Sequence, residues 1–165
     1  MKAFTGILSL LIIGAAVSGF AANNQHASSN GIAYPEGWQK WAVIGISHRT
    51  DNNTLRVILG NTIAVTAARA GKTNPWPDGS VLGKVVWQDS QLQDWNEATA
   101  PGKFVHAEFM FKDSDKYALT YGWGWARWIG LDKKPFEQGM NGCISCHLPV
   151  KKQDLVFTHP ATFPQ

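Results

Sequence analysis

Apolar and polar residues alternate along much of this chain with a period close to two. Phe104 to Phe111 (FVHAEFMF) shows it most clearly. Val105, Ala107, Phe109 and Phe111 share one face of an extended strand, and Phe104, His106, Glu108 and Met110 share the other. Trp41 to Ser47 and Thr54 to Leu59 read as two further strands, joined through the turn cluster Asp51-Asn52-Asn53 into a hairpin. Gly60-Asn61 interrupts the pattern. Asn61 is placed to cap a short Ala-rich helix over Thr62 to Ala70, with Gly71 as its stop. Lys72 to Gly79 (KTNPWPDG) is a loop, because two prolines and an Asp-Gly step leave no room for regular structure. Val81 to Trp87 resumes the extended pattern, Gln91 to Gly102 is polar, and Lys112 to Lys116 reads as a charged turn. Tyr121 to Ile129 alternates again, with Trp123, Trp125 and Arg127 on one side, and Lys133 to His147 suits a short helix or turn-helix. The expectation is a mainly β (α+β) fold. It has an antiparallel sheet of about five strands with tight turns and a few short helices.

The first residues follow a different rule. Lys2 is followed by the apolar run Phe4 to Ala16 and by Gly19-Phe20-Ala21, the plan of a secretory signal peptide over residues 1–21. That predicts a periplasmic protein with no membrane span after cleavage, leaving 144 residues. Residues 22–37 begin with a polar stretch (NNQHASSN) and are expected to be a flexible lead-in to one domain over 38–165. The whole chain has 15 basic and 12 acidic residues, and loss of Lys2 with the leader leaves 14 against 12. Such a mild excess, with no basic cluster interleaved with aromatics, excludes nucleic acid as a partner. At most it helps a basic face meet an acidic redox partner. Eight tryptophans in a chain of this size are read chiefly as core and subunit contact.

Both cysteines lie in one pentapeptide, Cys143-Ile144-Ser145-Cys146-His147, the pattern that attaches a c-type haem. Thiols one helical turn apart can add to the two haem vinyl groups, and the adjacent His147 can ligate the iron. A structural zinc site wants four protein ligands, and His159, the one histidine downstream, has the wrong spacing. A thioredoxin-like pair needs a βαβ context, and a plain disulfide leaves His147 without a purpose. The extracytoplasmic leader agrees with one covalently attached haem c. The late position of the motif in a strand-rich chain argues against the small helical electron carriers and the four-helix bundle cytochromes.

Three other residues stand out against their strands. Lys84 sits between Leu82 and Val85-Val86-Trp87, where an ammonium is costly unless paired, neutralised or snorkelling to water. Glu108 lies mid-strand, where it could relay protons from a bound nitrogen oxide or simply form a salt bridge with Arg127 or Arg56. Arg56 interrupts an apolar strand and could donate to a haem propionate or a distal ligand. Met110 and Met140 are candidate sixth ligands, as are His26, His48, His106 and His159. Core or surface roles are more ordinary for each of them.

The runs His48-Arg49-Thr50-Asp51, Leu55 to Asn61, Gly71 to Gly79 and Gly83 to Trp87, with the late Cys-x-x-Cys-His, resemble the cytochrome P-460 family and its relatives the cytochromes c′-β. The resemblance spans roughly Trp38 to Pro149. It implies an antiparallel β fold, a homodimer, and one five-coordinate haem held by Cys143, Cys146 and His147, with an open distal side. It also implies one of two activities. Cytochromes P-460 oxidise hydroxylamine with NO to nitrous oxide, passing electrons to a soluble cytochrome, and carry a lysine joined to the haem edge. Here that lysine matches Lys84, with Lys72 as its rival, and Glu108 would accept the protons. Cytochromes c′-β bind NO or CO without turnover in an apolar pocket, for which Phe104, Phe109 and Phe111 are candidates. Gln138 stands near the motif with no assigned place. A simple electron carrier is the remaining alternative.

Overall fold

The alternating segments form one antiparallel sheet whose six strands lie in chain order, each paired with the next. The strands are β1 (Ala42–Arg49), β2 (Thr54–Gly60), β3 (Val81–Leu92), β4 (Trp95–Lys112), β5 (Trp123–Ile129) and β6 (Lys134–Pro135). The computed structural model describes residues 27–137 and 141–164. The expected leader, His26, Gln138 and Met140 lie outside the described residues. Short turns join neighbours, which is why the order is simple. The longer links are β2–β3, which holds α1 (Thr62–Arg69) and the proline-rich loop, and β4–β5, which holds a short 3-10 turn at Ala118–Thr120.

Asn61 caps α1 as the sequence indicates. Its Oδ1 accepts from Ala64 N at 3.0 Å and also from Val81 N at 3.1 Å, so one side chain ties the helix start to β3. Gly71, with φ of +65°, ends the helical turn in a conformation that favours glycine.

The sheet has a core on each face. One cluster gathers Ile44, Ile58, Ala64, Trp76, Leu82, Trp123, Trp125 and Leu155 between the sheet and α1. The other centres on Phe109 and Trp128 with Ile32, and Tyr34, Trp38 and Trp41 pack edge-on around the Phe109 ring. Most tryptophans are therefore core, as expected, while Trp95 at the β3–β4 tip is exposed.

The mainly β fold with an antiparallel sheet of about five strands is borne out, with β6, a two-residue pairing with no hydrophobic pattern of its own, as the sixth. Three expectations need correction. The polar stretch 91–102 is mostly strand: β3 and β4 extend as a hairpin arm, pairing Asp89 with Pro101 and Gln91 with Thr99. Both faces of that arm are largely solvated, so no alternation marks it. Lys112 does not belong to a charged turn but closes β4 as a buried residue. Finally, the described part of the lead-in is docked: Ile32 is buried and Asn30 Nδ2 donates to Trp125 O at 2.8 Å.

Candidate functional site

The pentapeptide lies on α2 (Asn141–His147), a helix of two turns packed over the first core. The i, i+3, i+4 spacing puts Cys143, Cys146 and His147 on one side of it. Both thiols are free, Cys143 half-buried and Cys146 exposed. Burial, with Glu108 next, pushes the Cys143 thiol up.

His147 is held in one tautomer. Its Nδ1 lies 2.6 Å from Leu155 O, and a carbonyl only accepts, so Nδ1 carries the proton and Nε2 keeps its lone pair. Burial pushes the imidazole down from its usual range, partly opposed by that bond. Phe157 and Trp125 flank the ring at centroid distances of 5.2 and 6.0 Å. The Leu155 carbonyl comes from an unusual turn: Asp154 and Leu155 both have left-handed backbones, with φ of +50° and +63°. Each costs roughly 1–2 kcal/mol for a residue other than glycine, so the surroundings must enforce them.

A cavity of about 580 Å³ opens between α2 and the sheet. Every site residue named from the sequence lines it: Arg56, Lys84, Glu108, Cys143, Cys146 and His147. The register explains why the sheet residues meet. Lys84, Glu108 and Arg127 are direct cross-strand neighbours on β3, β4 and β5. Lys84 Nζ pairs with Glu108 Oε1, and Arg127 Nε donates to Glu108 Oε2 at 2.6 Å. Burial alone would raise the Glu108 carboxyl, but Lys84 and Arg127 together outweigh it and hold it down at about 2. His106 Nε2 stands 3.7 Å from the same carboxylate, and burial takes that histidine down to about 4. The salt bridge expected for Glu108 is thus made with Arg127 and Lys84, and Arg56 is left aside.

Arg56 is half-buried and has one hydrogen bond, Nε to Thr54 Oγ1 at 3.3 Å. Burial, then the neighbouring Arg49, pushes its guanidinium below the usual range. Among the described residues no carboxylate pairs with it. Among the described residues the cavity wall carries four cations, Arg49, Arg56, Lys84 and Arg127, and one carboxylate, Glu108, while Arg49 is paired with Asp51 outside the lining. Trp125 adds a buried Nε1–H that has no acceptor.

These features fit a haem. Two free thiols and a histidine whose Nε2 keeps its lone pair line one cavity, and a guanidinium with no carboxylate partner among the described residues, with the excess positive charge around it, suits a propionate. Among the described residues no group of three or more His, Cys, Asp or Glu is placed to hold a metal ion directly.

The other candidates disperse. Met110 lines the cavity while packing on the first core. His48 is at the sheet rim with Asp89 at 2.6 Å, His159 is exposed, and Lys72 is exposed on its loop. The phenylalanines proposed for an apolar pocket are corrected. Phe104 and Phe111 pack in the second core, and Phe109, though it borders the cavity, is 1% exposed with its ring among those aromatics. Besides Phe109 and Trp125, the rings that line it are Phe136 and Phe157. Phe157 had a signal, since Leu155-Val156-Phe157 is an apolar run close after the motif. Phe136 follows a lysine pair and a proline, and only the β5–β6 pairing brings it to Arg127, 4.7 Å from ring centroid to guanidinium.

A family profile described as Cytochrome P460 matches residues 35–158, and a search of curated proteins found no match.

Proposed function

The chain belongs to the cytochrome P460 family of c-type haem cytochromes, and from that premise we propose that it is a periplasmic monohaem enzyme. It would oxidise hydroxylamine, with NO as co-reactant, to nitrous oxide. Cys143 and Cys146 would hold one haem through thioether bonds, and His147 Nε2 would ligate its iron. The haem supplies the redox chemistry, taking electrons from the substrate for delivery to a soluble cytochrome. The protein would act as a homodimer.

The observation that carries this reading is the charged row Lys84–Glu108–Arg127 on the cavity wall. A small molecule bearing N–H and O–H groups can donate to the Glu108 carboxylate, which its two cations keep ionised and oriented. Arg56 would pair with a haem propionate, as an unpaired, half-buried guanidinium should.

As a proton acceptor Glu108 is weak while it sits near 2, because a base works best with a pKa near the working pH. The row and the haem edge are linked here. Were Lys84 joined to the haem edge, its ammonium would be lost, and Glu108 would rise towards a useful range. The apolar rings Phe136 and Phe157 favour a second reading, a cytochrome c′-β-like protein that binds NO or CO without turnover.

The deciding experiment is steady-state hydroxylamine oxidation by the holoprotein, with a cytochrome acceptor and NO, reading nitrous oxide by gas chromatography. Acceptor reduction matched by nitrous oxide supports the enzyme. NO binding to the ferrous protein without either signal would replace it by the gas-binding reading.

A further inference from the structure

Lys112 and Asp154 form an ion pair that the haem chemistry above does not use. Lys112 Nζ lies 2.8 Å from Asp154 Oδ1, with side chains only 5% and 11% exposed. The second carboxylate oxygen accepts from Trp76 N at 2.8 Å, so both oxygens of Asp154 are committed. Lys112 Nζ also sits 5.0 Å from the Trp123 ring centroid. The same proline-rich loop that supplies Trp76 reaches the neighbouring turn again, Asn74 Nδ2 donating to Lys152 O at 2.8 Å.

A buried ion pair is a costly way to gain stability, since apolar residues of similar volume often do as well. Its location suggests another use. Asp154 is the first of the two left-handed residues, and the second, Leu155, directs its carbonyl at His147 Nδ1. Two adjacent non-glycine residues hold that conformation only where their surroundings over-determine it. Here Lys112 and Trp76 fix Asp154 from the β4 end and the loop, and the buried Leu155 side chain anchors the turn in the core.

We propose that the Lys112–Asp154 pair is a positioning device for the iron ligand: it fixes the turn whose carbonyl sets the orientation and donor strength of His147. A carbonyl accepting from Nδ1–H makes the imidazole a stronger donor, and a stronger donor favours oxidised iron. Neither residue touches the haem cavity, so both act through His147 alone. The proposal rests on the haem reading only in taking His147 as the ligand, and hydroxylamine turnover has no part in it.

The test compares holoproteins with the haem attached. Lys112→Met and Asp154→Asn should each move the ferrous iron–histidine stretch, read by resonance Raman, to lower frequency and raise the reduction potential. The double variant should shift no further than either single one, because both remove the same constraint. Lys112→Arg, which keeps the charge, should stay near wild type, and Lys112→Gln serves if Lys112→Met folds poorly. Ile32→Ala is the control for general loosening, since Ile32 is buried in the opposite core and does not line the cavity. An unchanged stretch and potential in the folded Lys112 variant would overturn the proposal. So would an equal shift in Ile32→Ala. Absence of any iron–histidine band in the wild type would instead remove His147 as the ligand, a separate failure.

Discussion

Glu108 carries more of this site's electrostatics than any other single side chain. It neutralises Lys84, orients Arg127 and stands beside His106. Glu108→Gln should lower kcat/KM for hydroxylamine about tenfold to a hundredfold, because a charge-assisted hydrogen bond to the substrate is lost. It should also cost about 1–2 kcal/mol of stability, less than a fully buried pair would, because Lys84 and Arg127 are partly exposed. Denaturant titration with activity measured on the same preparation checks both. Lys84→Ala tests the haem edge: if Lys84 is joined to the haem, the variant shows an ordinary c-haem spectrum, and its haem peptide no longer contains residue 84 after digestion. An unchanged spectrum would mean that no such bond exists.

At the scale of elements, the β3–β4–β5 ladder makes stability depend on pH in two windows. His106 on β4 is held neutral down to about 4, against its ordinary 6.5. Between those values the unfolded chain binds a proton that the folded chain refuses, so stability falls as pH drops from 6.5 to 4. Glu108 is held at about 2 against an ordinary 4.5, so its contribution is present above 4.5 and is lost as pH falls from 4.5 to 2. Thermal melts across this range should show both losses, and His106→Gln should shrink the upper one, leaving the part that the depressed His147 contributes, without altering the lower. The β2–α1–β3 connection offers a sharper local test. Asn61→Ala strips the cap from α1 and a bond to β3, and should cost about 1 kcal/mol by chemical denaturation. An unaltered midpoint would show that the cap is dispensable.

The molecule as a whole uses one sheet to separate two tasks. The face that carries Lys84, Glu108 and Arg127 frames the cavity with α2, and the other packs an aromatic cluster that reaches it at Phe109. Ile32→Ala, in the part of that cluster away from the cavity, should therefore cost about 2–5 kcal/mol, as a truncation in a filled core does, while the holoprotein that folds keeps its Soret spectrum. A spectrum shifted as strongly as the stability would contradict that separation.

The chain itself determined the parts that depend on local spacing. Cys143, Cys146 and His147 fall on one side of a short helix because i, i+3 and i+4 do so in any helix. The strands around Ile44, Val57, Val85 and Phe109 were visible because each buries at least one face. Asn61 was readable as a cap because the cap acts within one turn. Lys84, Glu108 and Arg56 stood out because a charge in an apolar strand needs a reason. What they pair with is a matter of strand register, and register is decided only when hairpins close and cores fill. Tertiary structure alone placed Arg127 beside Glu108, brought Phe136 and Phe157 to the cavity, and buried Lys112 against a residue 42 positions away. It likewise turned the Leu155 carbonyl onto His147, since two left-handed residues in succession have no signature in a sequence without glycine there.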